Sequence, residues 1–182
     1  MMTMCKRVVI AAALFMAAVI GATQPAMAAG DQSQLMVGAG VFGFGVASEP
    51  NNVEARIQYR FKNGFLGGDG AFRGFKPLVG LAAQTSGSVF GYAGLALPFV
   101  FGADGRWEIV AEGALGAYRQ GSSLLNLGGT FEFHLGLGAN YAVSENGRLG
   151  VGIYHISNAN LHTKNPGVNS VLATYTFTFA GP

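Results

Sequence analysis

The segment Gly152-Ile153-Tyr154-His155-Ile156-Ser157-Asn158-Ala159 puts an imidazole and a hydroxyl two residues apart. A histidine within hydrogen-bond reach of a serine is the minimum for nucleophilic hydrolysis. The neutral ring takes the hydroxyl proton while the oxygen attacks a carbonyl. The segment reads as the end of a β-strand. There, residues two apart share a face, with Cα atoms about 6.5–7 Å apart, a spacing that permits the hydrogen bond with ordinary rotamers. His155 and Ser157 continue the apolar series Leu149, Val151, Ile153. In a soluble protein such a face is core; in a membrane β-barrel it meets lipid. Hydrocarbon offers an idle polar pair no partners. A base and a nucleophile on that face therefore imply an enzyme that cuts lipids from within the membrane.

A His-x-Ser triplet alone means little, and what sets this one apart is the amide-rich stretch after it: Asn158, Asn160, Asn165 and Asn169. Amide side chains orient an imidazole or donate hydrogen bonds to an oxyanion. Asn169 opens the next strand in phase with Val171, Ala173 and Tyr175, so in a hairpin it comes within reach of His155. The pattern makes Ser157 the nucleophile, His155 the general base and Asn169 the orienting group. His134 is a metal or catalytic candidate only in isolation. With Glu132 on its own face, both read as packed interior polar groups, and no metal or cofactor is implied.

The elements that must position this site are about eight strands of roughly ten residues. They span about 35–47, 53–61, 75–85, 88–101, 106–118, 129–143, 148–157 and 169–179. The second alternates most cleanly, with Val53, Ala55, Ile57, Tyr59 and Phe61 against Glu54, Arg56, Gln58 and Arg60. Ala103-Asp104-Gly105 and Glu145-Asn146-Gly147 read as tight hairpin turns. Residues 49–52, 62–73, 120–126 and 160–168 read as loops. The predicted fold is all-β, a single-domain eight-stranded antiparallel transmembrane β-barrel. Glu54, Arg56, Arg60, Glu108, Glu112, Glu132 and His134 all fall on the polar phase. A barrel of this size has interior room only for side chains, and buried charges need partners, so a salt-bridged plug is expected. That argues against a small channel or ligand-binding barrel.

Composition agrees. Glycine is frequent (29), as are Phe (14) and Tyr (6), yet no later stretch approaches the ~20 apolar residues of a membrane helix. Lys6 and Arg7, the apolar run Val8–Ile20 and Ala26-Met27-Ala28 form a secretory signal, with cleavage expected after Ala28. Without Lys6 and Arg7, nine basic side chains balance nine acidic ones, so charge gives no support for nucleic-acid binding. The single cysteine, Cys5, lies in the signal, which excludes a disulfide or thiolate metal site in the mature chain.

The stretch His155-Ile156-Ser157-Asn158-Ala159, together with Asn165-Pro166-Gly167-Val168-Asn169-Ser170, resembles the C-terminal signature of the PagL family. These are outer-membrane lipid A 3-O-deacylases, also called acyloxyacyl hydrolases. The resemblance extends more weakly through Leu127-Gly128-Gly129-Thr130-Phe131-Glu132-Phe133. It implies an eight-stranded barrel in the outer membrane of a Gram-negative bacterium, with a serine-hydrolase site on its outer wall. The implied substrate is the lipid A of lipopolysaccharide. The family's base falls on His155, its nucleophile on Ser157, an adjacent asparagine on Asn158 and its oxyanion asparagine on Asn165. The family pattern has glutamate where this chain has Asn169, and glycine where it has Asn160. An amide in the acidic place costs serine proteases about 10⁴ in rate, although Cys-His-Asn enzymes work with one. Asn169 thus leaves a second expectation standing, a catalytically inert structural or interaction barrel of the same family. A homodimer is compatible with either.

Overall fold

The structure, a computed structural model, describes residues 32–44, 52–67 and 69–179. The expected signal at Met1–Ala28, most of the expected 49–52 loop and the tail after Phe179 lie outside them. Eight strands form: β1 (Ser33–Phe42), β2 (Asn52–Arg60), β3 (Lys76–Gln84), β4 (Val89–Phe101), β5 (Trp107–Arg119), β6 (Phe131–Ser144), β7 (Gly147–Ser157) and β8 (Val168–Phe179). Each pairs antiparallel with the next, and β1 pairs with β8 to close a barrel. Closure leaves no unpaired edge, which an apolar membrane interior requires. The expected strands hold to within about two residues, except that β1 begins earlier and ends at Phe42, before Gly43 turns the chain with φ 85°.

Along the strands even-numbered residues point inward and odd-numbered ones outward, and the registers pair residues of equal parity except at the bulge where Ser144 meets Gly147. The outward set is apolar, with Ile57, Leu81, Leu115, Leu137 and Ile153 about half exposed or more. The inward set holds the charges, and most of them are paired. Arg56 Nε and Nη2 donate to Glu54 Oε1 (2.9 and 2.7 Å), while Gln84 Nε2 and Ser170 Oγ donate to Glu54 Oε2 (3.0 and 2.9 Å). Arg60 Nη2 donates to Glu108 Oε1 (2.7 Å) and contacts Gln34 Oε1. His134 Nε2 meets Glu112 Oε1 at 2.8 Å, and the ring stacks between Tyr92 and Tyr154. These groups fill the lumen, leaving a hollow of about 30 Å³ beside Gln58, Glu112 and Tyr154, room for about one water. The expected plug is therefore present.

Glu54 accepts four hydrogen bonds, two of them from a fully buried guanidinium. Glu54→Ala leaves that cation buried without its bonded carboxylate. The expected loss is about 3–5 kcal/mol of stability, read by denaturant unfolding in lipid vesicles, with Glu54→Gln losing less.

The barrel has two unlike rims. One carries the turns at Glu145-Asn146 and 102–106 and an aromatic girdle that includes Tyr59–Phe61 (4.7 Å between ring centroids), Trp107–Tyr141 (4.8 Å) and Tyr175–Phe177 (4.6 Å). Part of the expected 62–73 loop extends this rim. Bridges join Phe65 to Phe75 and Phe72 to Phe99, and these rings pack together. Gly64, Gly67, Gly70 and Gly74 interrupt the alternation, which hides this pairing in the sequence. The opposite rim holds Phe131–Phe133 (5.4 Å) and the connections 120–130 and 158–167.

Candidate active site on the outer wall

Strand β7 ends at Ser157, and the connection to β8 turns at once. Leu161 N–H donates to Asn158 O (2.9 Å), while Ala159 and Asn160 take φ of 52° and 66°, the two left-handed residues of a type I′ turn. Asparagine tolerates that conformation; alanine pays about 1 kcal/mol for it. Asn160 thus supplies the backbone shape for which glycine would be the default residue.

The loop is held by its amides. Asn158 N–H donates to Asn165 Oδ1 (3.0 Å), and Asn165 Nδ2 donates to Asn160 Oδ1 (3.1 Å). The buried Asn158 side chain donates through Nδ2 to Leu127 O (2.6 Å) and Lys164 O (2.7 Å), tying the loop to the neighbouring β5–β6 connection. Gly128, with φ 102°, packs directly on Lys164 O at that junction, where a Cβ would collide.

On the outer face the register sets His155 opposite Asn169. Their side chains meet, His155 Nδ1 to Asn169 Oδ1 at 2.9 Å. An amide oxygen only accepts, so in the neutral ring this bond selects the tautomer with the proton on Nδ1 and the lone pair on Nε2, the one a general base needs. Gly167, with φ 62°, lies over the ring; a Cβ there would come within 2.8 Å of His155 Cε1. The loop backbone can therefore rest against the imidazole only at a glycine. The Asn169 carbonyl also accepts from Gly43 and Phe44 N–H (2.9 and 3.0 Å), bracing this strand end against the first connection.

Ser157 sits one outward step beyond His155, half-buried like His155 and Asn169. The hydrogen bond between Ser157 and His155 is open: among the described residues neither Ser157 Oγ nor His155 Nε2 has a partner. In enzymes without substrate such contacts are often long and tighten only in the complex. Of the residues singled out in the sequence, His155 and Asn169 are in contact, and Asn158, Asn160 and Asn165 form one bonded chain. Ser157 lies between the two groups. The tie to Leu127 is invisible in the sequence, because nothing local to either segment reports contact between two connections. Among the described residues no cluster of three His, Cys, Asp or Glu could hold a metal.

The profile of the PagL family, described as lipid A 3-O-deacylase, matches residues 51–178. The chain belongs to the PagL family. No curated protein matches it significantly. Among solved structures, the outer membrane enzyme PagL is similar at 19% identity with a TM-score of 0.63, covering 80% of this chain and 99% of that one. A de novo designed transmembrane β-barrel is similar at 15% identity and TM-score 0.52, covering 86% and 98%. Neisserial surface protein A is similar at 15% identity and TM-score 0.51, covering 81% and 96%. These are likenesses of fold, and they agree with the closed eight-stranded barrel. Family and fold together make this chain an outer-membrane barrel of the lipid A deacylases.

Proposed function

We propose that this PagL-family barrel removes an ester-linked acyl chain, at the 3-position, from lipid A by a Ser–His mechanism. His155 Nε2 takes the Ser157 proton as Oγ attacks the acyl carbonyl. The Asn165 amide and the Asn160 N–H, which has no protein partner among the described residues, stabilise the oxyanion. The imidazolium then protonates the departing sugar oxygen, leaving an acyl-serine. Water, deprotonated by His155, releases the fatty acid and restores the serine. Asn169 holds the ring, and Asn158 holds the loop. Export follows from a signal peptide cleaved after Ala28, and the rim carrying the site faces the outer leaflet, so substrate arrives by lateral diffusion.

The observation that carries this reading is the His155–Asn169 hydrogen bond on the lipid-facing wall, beside an uncommitted serine. Mass spectrometry of lipid A from cells producing the protein tests it. The expected product is lighter by one hydroxyacyl chain, and fragment ions assign the loss to the 3-position. Unchanged lipid A beside a folded barrel in the outer membrane overturns the reading. It would favour the inert barrel, to which the amide at position 169 points. A shortened product missing a different chain overturns only the positional part.

A further inference from the structure

The inner side of the wall, directly behind Ser157, holds two incompletely bonded groups. Strands β6 and β7 pair Phe133 with Ser157, the last pair of their ladder, so continuing that register by one step would bring Glu132 opposite Asn158, the first residue past the strand. Both are inward and fully buried. Neither carboxyl oxygen of Glu132 receives a hydrogen bond from the described residues, and neither does Asn158 Oδ1. The Asn158 amide cannot be reversed to cure this, because Nδ2 already donates to two carbonyls, Leu127 O and Lys164 O. Its oxygen is fixed as an acceptor. An ionised Glu132 would also be acceptor-only. Two such groups side by side in a dry interior would each forfeit a hydrogen bond and would repel.

A single proton satisfies both. We propose that Glu132 holds its proton and donates it to Asn158 Oδ1, acting as a positioning residue for the site loop. The titratable groups on the adjoining inward faces do not substitute. On β5 and β6, Glu112 and His134 bond each other. Tyr118 on β5 and Tyr154 on β7 share this interior but give Glu132 no hydrogen bond. The buried Arg56 and Arg60 go to Glu54 and Glu108. The bond would fix the Asn158 side chain, whose backbone N–H holds Asn165, which in turn holds Asn160. Glu132 would thereby act through the barrel wall on the amides of the outer face without touching substrate.

The kinetic arm of the test rests on the proposed deacylase activity; the spectroscopic arm does not. Glu132→Gln keeps a donor that does not titrate, and Glu132→Leu removes it. Glu132→Gln is expected to keep kcat within a few-fold of wild type. Glu132→Leu should lose about ten- to a hundredfold in kcat with little change in KM, the range that orphaning a buried amide oxygen spans. Wild type should lose activity as rising pH removes the Glu132 proton, and Glu132→Gln should not show that limb. Infrared spectra at neutral pH should contain a protonated-carboxyl band that Glu132→Gln lacks. A glutamine variant as impaired as the leucine one means that an ionised carboxylate or a bound cation is required, and overturns the proposal. So does a fully active leucine variant, or identical infrared spectra. If the leucine barrel fails to fold, the pH profiles of wild type and Glu132→Gln still decide. A chain with no deacylase activity refutes the proposed function while the infrared comparison still tests Glu132.

Discussion

Ser157→Ala is expected to abolish deacylation while leaving the barrel intact. Members of a nucleophile–base pair act as a unit, and removing the serine nucleophile of a serine protease costs about 10⁶ in kcat. The side chain is small, half-buried on the outer wall and without a hydrogen-bond partner among the described residues, so its loss leaves nothing orphaned. Purified wild type and variant in mixed micelles with lipopolysaccharide, assayed for released hydroxy fatty acid, give the comparison. The heat-dependent gel shift of a folded barrel should be the same for both. Residual release from Ser157→Ala within tenfold of wild type would remove the serine from the mechanism and point to a water attacking directly.

Replacing Asn169 by a carboxylate should move activity the other way. The amide already holds the correct tautomer through Oδ1, but it carries no charge to stabilise the imidazolium that forms during attack. Its orientation is also not enforced, since Asn169 Nδ2 has no partner among the described residues. Asn169→Asp preserves size and should place a carboxylate oxygen where Oδ1 now sits. Asn169→Glu supplies the residue of the family pattern, reaching His155 from a different rotamer. A gain of up to about 10⁴ in kcat is expected from the better placed of the two, the cost of the reverse exchange in a serine protease. Equal rates for wild type and both variants would mean that this site runs on an amide, as Cys-His-Asn enzymes do. Activity appearing only in a variant would identify wild type as a folded scaffold that lacks the charge.

Much of this was legible in the sequence, because a wall between lipid and a plugged lumen imposes the simplest of patterns. Strands such as Val53–Phe61 and Trp107–Tyr118 declare their two faces residue by residue, and the phase alone put His155, Ser157 and Asn169 on one side. The facing of His155 by Asn169 required only a hairpin. What could not be read was contact set by exact register across a long connection or by the way a connection folds. The pairing of His134 with Glu112 rather than with its strand neighbour Glu132 depends on the β5–β6 register. The Leu127–Asn158 tie depends on how two connections fold over one rim. The Phe65–Phe75 and Phe72–Phe99 bridges lie in a glycine-broken segment where alternation fails.

The girdle at the rim away from the site also fixes a height. Leu149, flanked across the sheet by Tyr141 and Tyr175, lies in that girdle, and Ser157 is farther along the same strand. With a rise of about 3.3 Å per residue and a tilt of about 40°, the intervening stretch climbs about 20 Å across a hydrocarbon layer of about 25 Å. Ser157 thus reaches the level of Phe133, its cross-strand partner, near the far boundary of the acyl chains. An ester joining a fatty acid to a sugar headgroup lies at that depth. In the proposed reaction the barrel wall would work as a gauge: a rigid sheet anchored at one water interface would hold the serine at the altitude of the bond to be cut, and the membrane would bring every candidate ester to the same level.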